Sequence, residues 1–150
     1  EFLRQQLGEH PRLHLLAGGG GARLQHARYH EYLNLLRGPL INASKVMLAD
    51  ASDVVFQSDP FVEVHHGLYT AEEATSYTIG SHAANAMWVR ETFGDGALQK
   101  LAHERVLCSG LTMGMASAVV GYLELMASES ARRLTSVRLE ELRRRYGRDL

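Results

Sequence analysis

The stretch KVMLADASDVVFQSDP, residues 45–60, combines an apolar run with two aspartates that follow it closely. Its first five residues, Lys45 to Ala49, contain the continuous apolar run VML, which predicts a strand covered on both faces, as in a parallel sheet. Asp50 stands where this strand ends, and Asp53 follows after two small residues. Because a carboxylate gains nothing from packing at the end of an apolar strand, we expect the pair to have another role.

Helical and extended patterns alternate along the chain, which predicts an α/β fold. The hydrophobic periodicity predicts helices over residues 22–37, from about 81 to 94, in a short segment capped by Asp95, and over 116–130. Further extended segments are predicted at 54–56, 62–64, 68–70, 106–108 and 111–113. Together with the apolar strand, this order predicts a mixed, mostly parallel sheet flanked by helices.

Composition excludes several classes of function. Of the 150 residues, 45% are apolar and 22% charged, as in an ordinary globular domain. The 16 basic residues balance 17 acidic ones, so no net charge favours nucleic acid. No apolar run reaches the roughly 20 residues that cross a bilayer, so no transmembrane segment is expected. The single cysteine and the lack of a signal-peptide pattern favour a cytoplasmic over a secreted location.

Asp50 and Asp53 are candidate metal ligands. Ligands of open α/β sheets gather at the carboxyl ends of strands. Two carboxylates, completed by diphosphate oxygens and water, form an oxygen site suited to Mg²⁺ or Mn²⁺. Two alternatives stay open: the pair only caps a turn, or Asp50 is the nucleophile of a phosphatase-like hydrolase. Ser52 stands where that hydrolase chemistry requires a second Asp.

Other side chains have a structural and a functional interpretation. Glu72 and Glu73 follow a predicted strand, so either is a candidate general base, although solvated carboxylates are the more common case. Trp88 is predicted to lie in the core rather than to form a platform under a sugar ring. Cys108 is predicted to be a small buried hydrophobe rather than a nucleophile.

Residues 45–61, KVMLADASDVVFQSDPF, resemble the core of a family of GT-A-type glycosyltransferases. Members of that family carry an apolar strand followed by a motif similar to D-V-R-D-V-V-F-Q-x-D-P-F; here Ala51 and Ser52 replace the Val-Arg pair. Three further blocks resemble the family: RYHEYLNLL at 28–36, NAMWV at 85–89 and VLCSGLTMGMASAVVGYLELM at 106–126. The resemblance covers roughly residues 25–127.

The resemblance implies a GT-A-like fold and a metal-dependent transfer of sugar from a nucleotide-sugar donor to a hydroxyl acceptor. It implies that Asp50 and Asp53 hold Mn²⁺ or Mg²⁺ with the donor diphosphate, and that Ser109 and Gly110 bind the donor near its sugar. It identifies no catalytic base and no nucleic-acid partner.

Two features of the family are not found in the sequence. Members usually carry a nucleotide-binding strand-helix region well before the acidic motif, whereas only 49 residues precede Asp50 here. They also carry a D-Q-x-x-x-N-like block after the last helix, and no such block follows the last predicted helix of this sequence. We therefore expect residues 1–150 to form one partial glycosyltransferase-like domain, with a poorly defined lead-in at 1–21 and a basic helical tail at 132–150. The alternative is a non-catalytic remnant or partner-binding domain that retains the fold.

Overall fold

The computed structural model of the protein describes residues 24–39, 41–50, 54–73 and 76–146, with side chains from residue 27 to residue 132. The described residues form an α/β structure with four helices and three strands. In chain order these elements are α1 (Leu24–Arg37), β1 (Lys45–Ala49), β2 (Leu68–Glu72), α2 (Ala83–Phe93), α3 (Asp95–Leu101), β3 (Leu107–Met115) and α4 (Ala116–Tyr146). The predicted α/β class, the Lys45–Ala49 strand and the helices are confirmed.

The three described strands form one sheet in the order β1-β3-β2, and both pairs are antiparallel. The prediction of a mostly parallel sheet is therefore wrong. It was based on the apolar run in β1, where Val46 is buried but Met47 and Leu48 are only half-buried. Such a run indicates that both faces of a strand meet other residues, but it carries no information about the direction of the neighbouring strand. β1 lies at an edge of this sheet.

β3 is the central strand, and it runs unbroken from Leu107 to Met115. The prediction of two extended segments separated at Ser109 and Gly110 is wrong at that break. A Ser-Gly pair taken alone suggests a turn, but here the Gly110 carbonyl accepts a hydrogen bond from the Asp50 amide, and the register between β3 and β2 shifts in the same stretch. Thr112, in the middle of the strand, is buried and lies between β1 and β2.

A close approach of two glycines joins β2 to β3. Gly67 has a φ of 66°, a left-handed conformation that glycine adopts without strain, and its carbonyl accepts a hydrogen bond from the Met115 amide at 3.0 Å. A Cβ atom on Gly114 would lie 2.4 Å from that carbonyl oxygen. Any side chain at Gly114 would therefore push the start of β2 away from β3.

The predicted extended segments at 54–56 and 62–64 are not strands. Residues 60–63 form a turn in which the Asp59 carboxylate accepts a hydrogen bond from the Phe61 amide at 2.9 Å. The Lys45 ammonium group donates a hydrogen bond to the Phe61 carbonyl, also at 2.9 Å, which connects the turn to β1. Val64 then contributes a fully buried side chain. Its burial, rather than strand pairing, explains the apolar pattern there.

The ends of the helices follow the chemistry of their sequences. The Gly38 amide donates to the carbonyls of Asn34 and Leu35, which ends α1 as predicted. Gly94, with a φ of 85°, separates α2 from α3. Asp95 is the first residue of α3 rather than its cap, and its carboxylate accepts a hydrogen bond from Arg90 at 3.0 Å.

The chain divides into two compact units. Asn42–Gly121 contains the sheet, α2, α3 and the first turns of α4. The other unit combines the described parts of Glu1–Ile41 and Tyr122–Leu150. Within it, the rings of Tyr29 and Tyr122 meet edge to face with their centres 6.4 Å apart, and α1 and α4 are joined by an ion pair between Arg37 and Glu124.

The hydrophobic periodicity that predicts a helix from residue 116 corresponds to a buried face of α4. Val119, Leu123 and Ala127 are buried, at the spacing of three or four residues that places side chains on one face of a helix. Helical structure continues through the basic region to Tyr146. The predicted lead-in at 1–21 lies outside the described residues, as do the side chains of the basic tail from residue 133 onward.

The burial of α4 gives a direct test of its orientation. Leu123→Ala should lower the free energy of unfolding by about 2–5 kcal/mol, because the substitution leaves a cavity around a fully buried side chain. Leu125→Ala removes the same atoms from a side chain that is 73% exposed, and its effect should stay within about 0.5 kcal/mol. Urea denaturation of both variants measures the difference, and equal losses would contradict the orientation of α4.

Candidate functional site

Asp50 is held at the end of β1 by the pairing of that strand with β3. Its amide donates a hydrogen bond to the Gly110 carbonyl at 2.9 Å, one residue beyond the Ala49–Leu111 pair that ends the ladder. The Asp50 side chain lies directly over Gly110. Its Oδ2 atom is 2.6 Å, and its Cγ atom 3.1 Å, from the position that a Cβ on Gly110 would occupy. The carboxylate therefore occupies space that any other residue at 110 would fill.

The register defines the surroundings of the carboxylate. Leu48 and Thr112 form the neighbouring pair on the same face, because side chains two residues apart along a strand share a face. Thr112 is buried, whereas Asp50 is solvent-exposed. The site thus consists of an accessible carboxylate beside a buried, polar centre of the sheet. Thr112 was not identified from the sequence, since its position beside Asp50 depends on β3 being continuous.

Ser109 precedes Gly110 in β3 and is exposed. It lies in the stretch of β3 whose register against β2 is irregular. Of the four residues predicted to form the site, the structure brings Asp50 and Gly110 together. Ser109 adjoins them through its backbone, and Asp53 lies outside the described residues.

The donor chemistry of Asp50 fits a hard divalent cation. Mg²⁺ binds protein through one or two carboxylates and takes its other ligands from substrate phosphates and water. The exposed Asp50 carboxylate supplies one such protein ligand. Within the part of the chain that the structure describes, no three His, Cys, Asp or Glu side chains are grouped to hold a metal. The Asp50 carboxylate therefore suits an ion whose remaining ligands come from a bound diphosphate and water.

Glu72, a candidate general base, lies beside Arg105 at the N-terminal end of β3, on the opposite edge of that strand from β1. Its Oε2 atom is 3.4 Å from the Arg105 guanidinium, and it pairs with Leu107 across the sheet. Leu107 is three residues from Gly110, or about 10 Å along a strand. The backbone amide of Glu73 donates a hydrogen bond to the Val106 carbonyl at the same end. Neither glutamate is therefore placed next to Asp50.

The prediction that Trp88 lies in the core is wrong, because its side chain is 57% exposed. It lies on α2, where Met87 and Phe93 are also exposed and where, among residues that the structure describes, none is buried. Helical spacing shows which side chains share a face of α2 but not whether another element covers that face. Cys108, predicted to be buried, is half-buried in β3.

Comparisons of the chain with protein-family models, with curated proteins and with solved structures found no match. Function is therefore inferred from the residues of this chain and their arrangement. Within the described ranges, no helix combines the length and the apolar character required to cross a membrane.

The exposure of Trp88 can be measured directly, because it is the only tryptophan in the chain. Acrylamide should quench its fluorescence in the folded protein nearly as strongly as in urea, since more than half of the side chain is open to solvent. Strong protection that disappears on unfolding would show that another surface covers this face of α2.

Proposed function

We propose that the protein is a metal-dependent glycosyltransferase that moves a sugar from a nucleotide-sugar donor to a hydroxyl acceptor. One observation carries the proposal: the Asp50 carboxylate is exposed at the carboxyl end of β1, in a space that Gly110 leaves open. Two sequence blocks that resemble the GT-A family, at 45–61 and 106–126, supply exactly these two residues in adjacent strands.

In this proposal Asp50 holds Mn²⁺ or Mg²⁺ together with the donor diphosphate, and Asp53 is a second ligand proposed from its spacing in the sequence. When bound, the ion neutralises the charge that develops on the departing nucleoside diphosphate. The chain's contribution is to fix one carboxylate at a defined point of the sheet and to keep it accessible to the donor. We propose that Gly110, and Ser109 beside it, line the donor end of this site.

A GT-A-like fold is likewise a proposal, supported by the same sequence blocks. The described strands form a three-stranded antiparallel sheet, which is smaller than the sheet expected for a complete member of that family. In this proposal the α/β unit is part of a larger domain, and the three strands are the part that carries the acidic motif.

The second candidate is a partner-binding domain without catalytic activity. It is favoured by the apolar surface of α2, where Met87, Trp88 and Phe93 are each about half exposed. The two candidates differ in one measurable property. Only the glycosyltransferase requires a divalent cation for the protein to bind a nucleoside diphosphate.

Asp50→Asn tests the proposal, because it preserves the shape of the side chain and removes one ligand charge. In isothermal titration calorimetry with nucleoside diphosphates, parent protein should bind in MnCl₂ and not in EDTA. Asp50→Asn should weaken the Mn²⁺-dependent binding by about tenfold or more, which corresponds to about 1.4 kcal/mol. The melting temperature should change little, since Asp50 is exposed.

Asp59→Asn is the matched control, because this aspartate caps a turn through the Phe61 amide. It should cost about 1 kcal/mol of stability or less and leave nucleotide binding unchanged. If Asp50→Asn instead behaves like Asp59→Asn, with lower stability and normal binding, then Asp50 is a turn residue and the proposed metal site is wrong.

A further inference from the structure

We infer that Gly110 is a positioning residue for Asp50, whose lack of a side chain sets where the metal-binding carboxylate can stand. This inference rests on the proposed function, since it assigns Gly110 a role in the same site. The role differs from contact with a donor: Gly110 acts through Asp50.

The atoms nearest to a Cβ on Gly110 all belong to the Asp50 side chain. The Asp50 amide and the Gly110 carbonyl are joined by a 2.9 Å hydrogen bond, and the neighbouring pair Ala49–Leu111 continues the ladder. Three atoms of Asp50 approach the site of a Cβ on Gly110: Oδ2 at 2.6 Å, Cγ at 3.1 Å and Cβ at 3.7 Å. A methyl group there would therefore displace the whole carboxylate while the strands stay paired.

Gly110 differs in this respect from the other tightly packed glycines. A Cβ on Gly114 would meet the backbone oxygen of Gly67 at 2.4 Å, and one on Gly80 would meet the backbone oxygen of Ala102 at 2.9 Å. Backbone atoms within a sheet or turn cannot move aside cheaply, so those substitutions act on the fold. At Gly110 the obstacle is the end of a rotatable side chain, so the substitution acts on the site.

A displaced carboxylate alters metal binding more than it alters folding. Residues that orient a metal ligand typically change metal affinity by about 10–100-fold when they are replaced. Alanine also suits a strand interior better than glycine does, which offsets part of the cost of rotating Asp50. Gly110→Ala should therefore reduce Mn²⁺ affinity with little change in melting temperature, a combination that a purely structural role does not produce.

The experiment uses the full chain and five proteins: parent, Gly110→Ala, Asp50→Ala, the double variant and the control Gly121→Ala. Mn²⁺ affinity is measured as the affinity for a nucleoside diphosphate in MnCl₂, with EDTA as the metal-free blank, by isothermal titration calorimetry, and melting temperature by circular dichroism. Gly110→Ala should lower Mn²⁺ affinity by about 10–100-fold. In the Asp50→Ala background the same change should leave the residual affinity as it was and should not lower the melting temperature, because no carboxylate remains to be displaced. Gly121→Ala, where a Cβ would meet nothing within 4 Å, is the control with unchanged Mn²⁺ affinity.

The outcomes separate this inference from the proposed function. If parent protein binds Mn²⁺ and Asp50→Ala abolishes binding, but Gly110→Ala binds as parent does, the positioning role is wrong and the metal site stands. If parent protein does not bind a nucleoside diphosphate in MnCl₂, the proposed function and the positioning role both fail. If Gly110→Ala does not fold, the double variant should recover the fold, and a double variant that also stays unfolded overturns the inference, because the obstacle is then not Asp50.

Discussion

The pairing of β3 on both of its edges is the constraint on which the α/β unit depends. β1 and β2 are hydrogen-bonded to β3 and not to each other, so each reaches the sheet only through this strand. Its small residues make that possible. Gly114 lets the Gly67 turn approach closely, and Gly110 leaves room for the side chain that ends β1. One strand therefore supplies both the centre of the sheet and the floor of the candidate site.

The register of β1 against β3 connects this constraint to the proposed site. With Ala49 opposite Leu111, Asp50 falls beside Gly110 and on the face that Thr112 also occupies. A shift by one residue would turn the Asp50 side chain to the other face of the sheet. The register and the absence of a side chain at Gly110 therefore place the Asp50 carboxylate over β3. An exposed, positioned carboxylate is what a cation shared with a diphosphate requires.

Much of the local structure could be predicted from the sequence, because it depends on neighbouring residues. The apolar run gave β1, and Gly38 and Gly94 marked the ends of two helices. Strand direction was mispredicted, because an apolar run reports coverage and not the path of the partner strand. Trp88 was misassigned for a similar reason: its helical face is visible in the sequence, whereas the absence of a covering element among the described residues is not. Asp50 was identified from its position at a strand end, but its contact with Gly110 required a pairing between residues 60 positions apart.

A crystal of the full chain grown with MnCl₂ and a nucleoside diphosphate would show directly whether Asp50 holds the ion. Manganese scatters anomalously, so the ion can be located without assuming its ligands. We expect an anomalous peak about 2 Å from an Asp50 carboxylate oxygen, on the Gly110 face of the sheet and next to the diphosphate. A diphosphate bound without manganese, or manganese bound away from Asp50, would contradict this expectation.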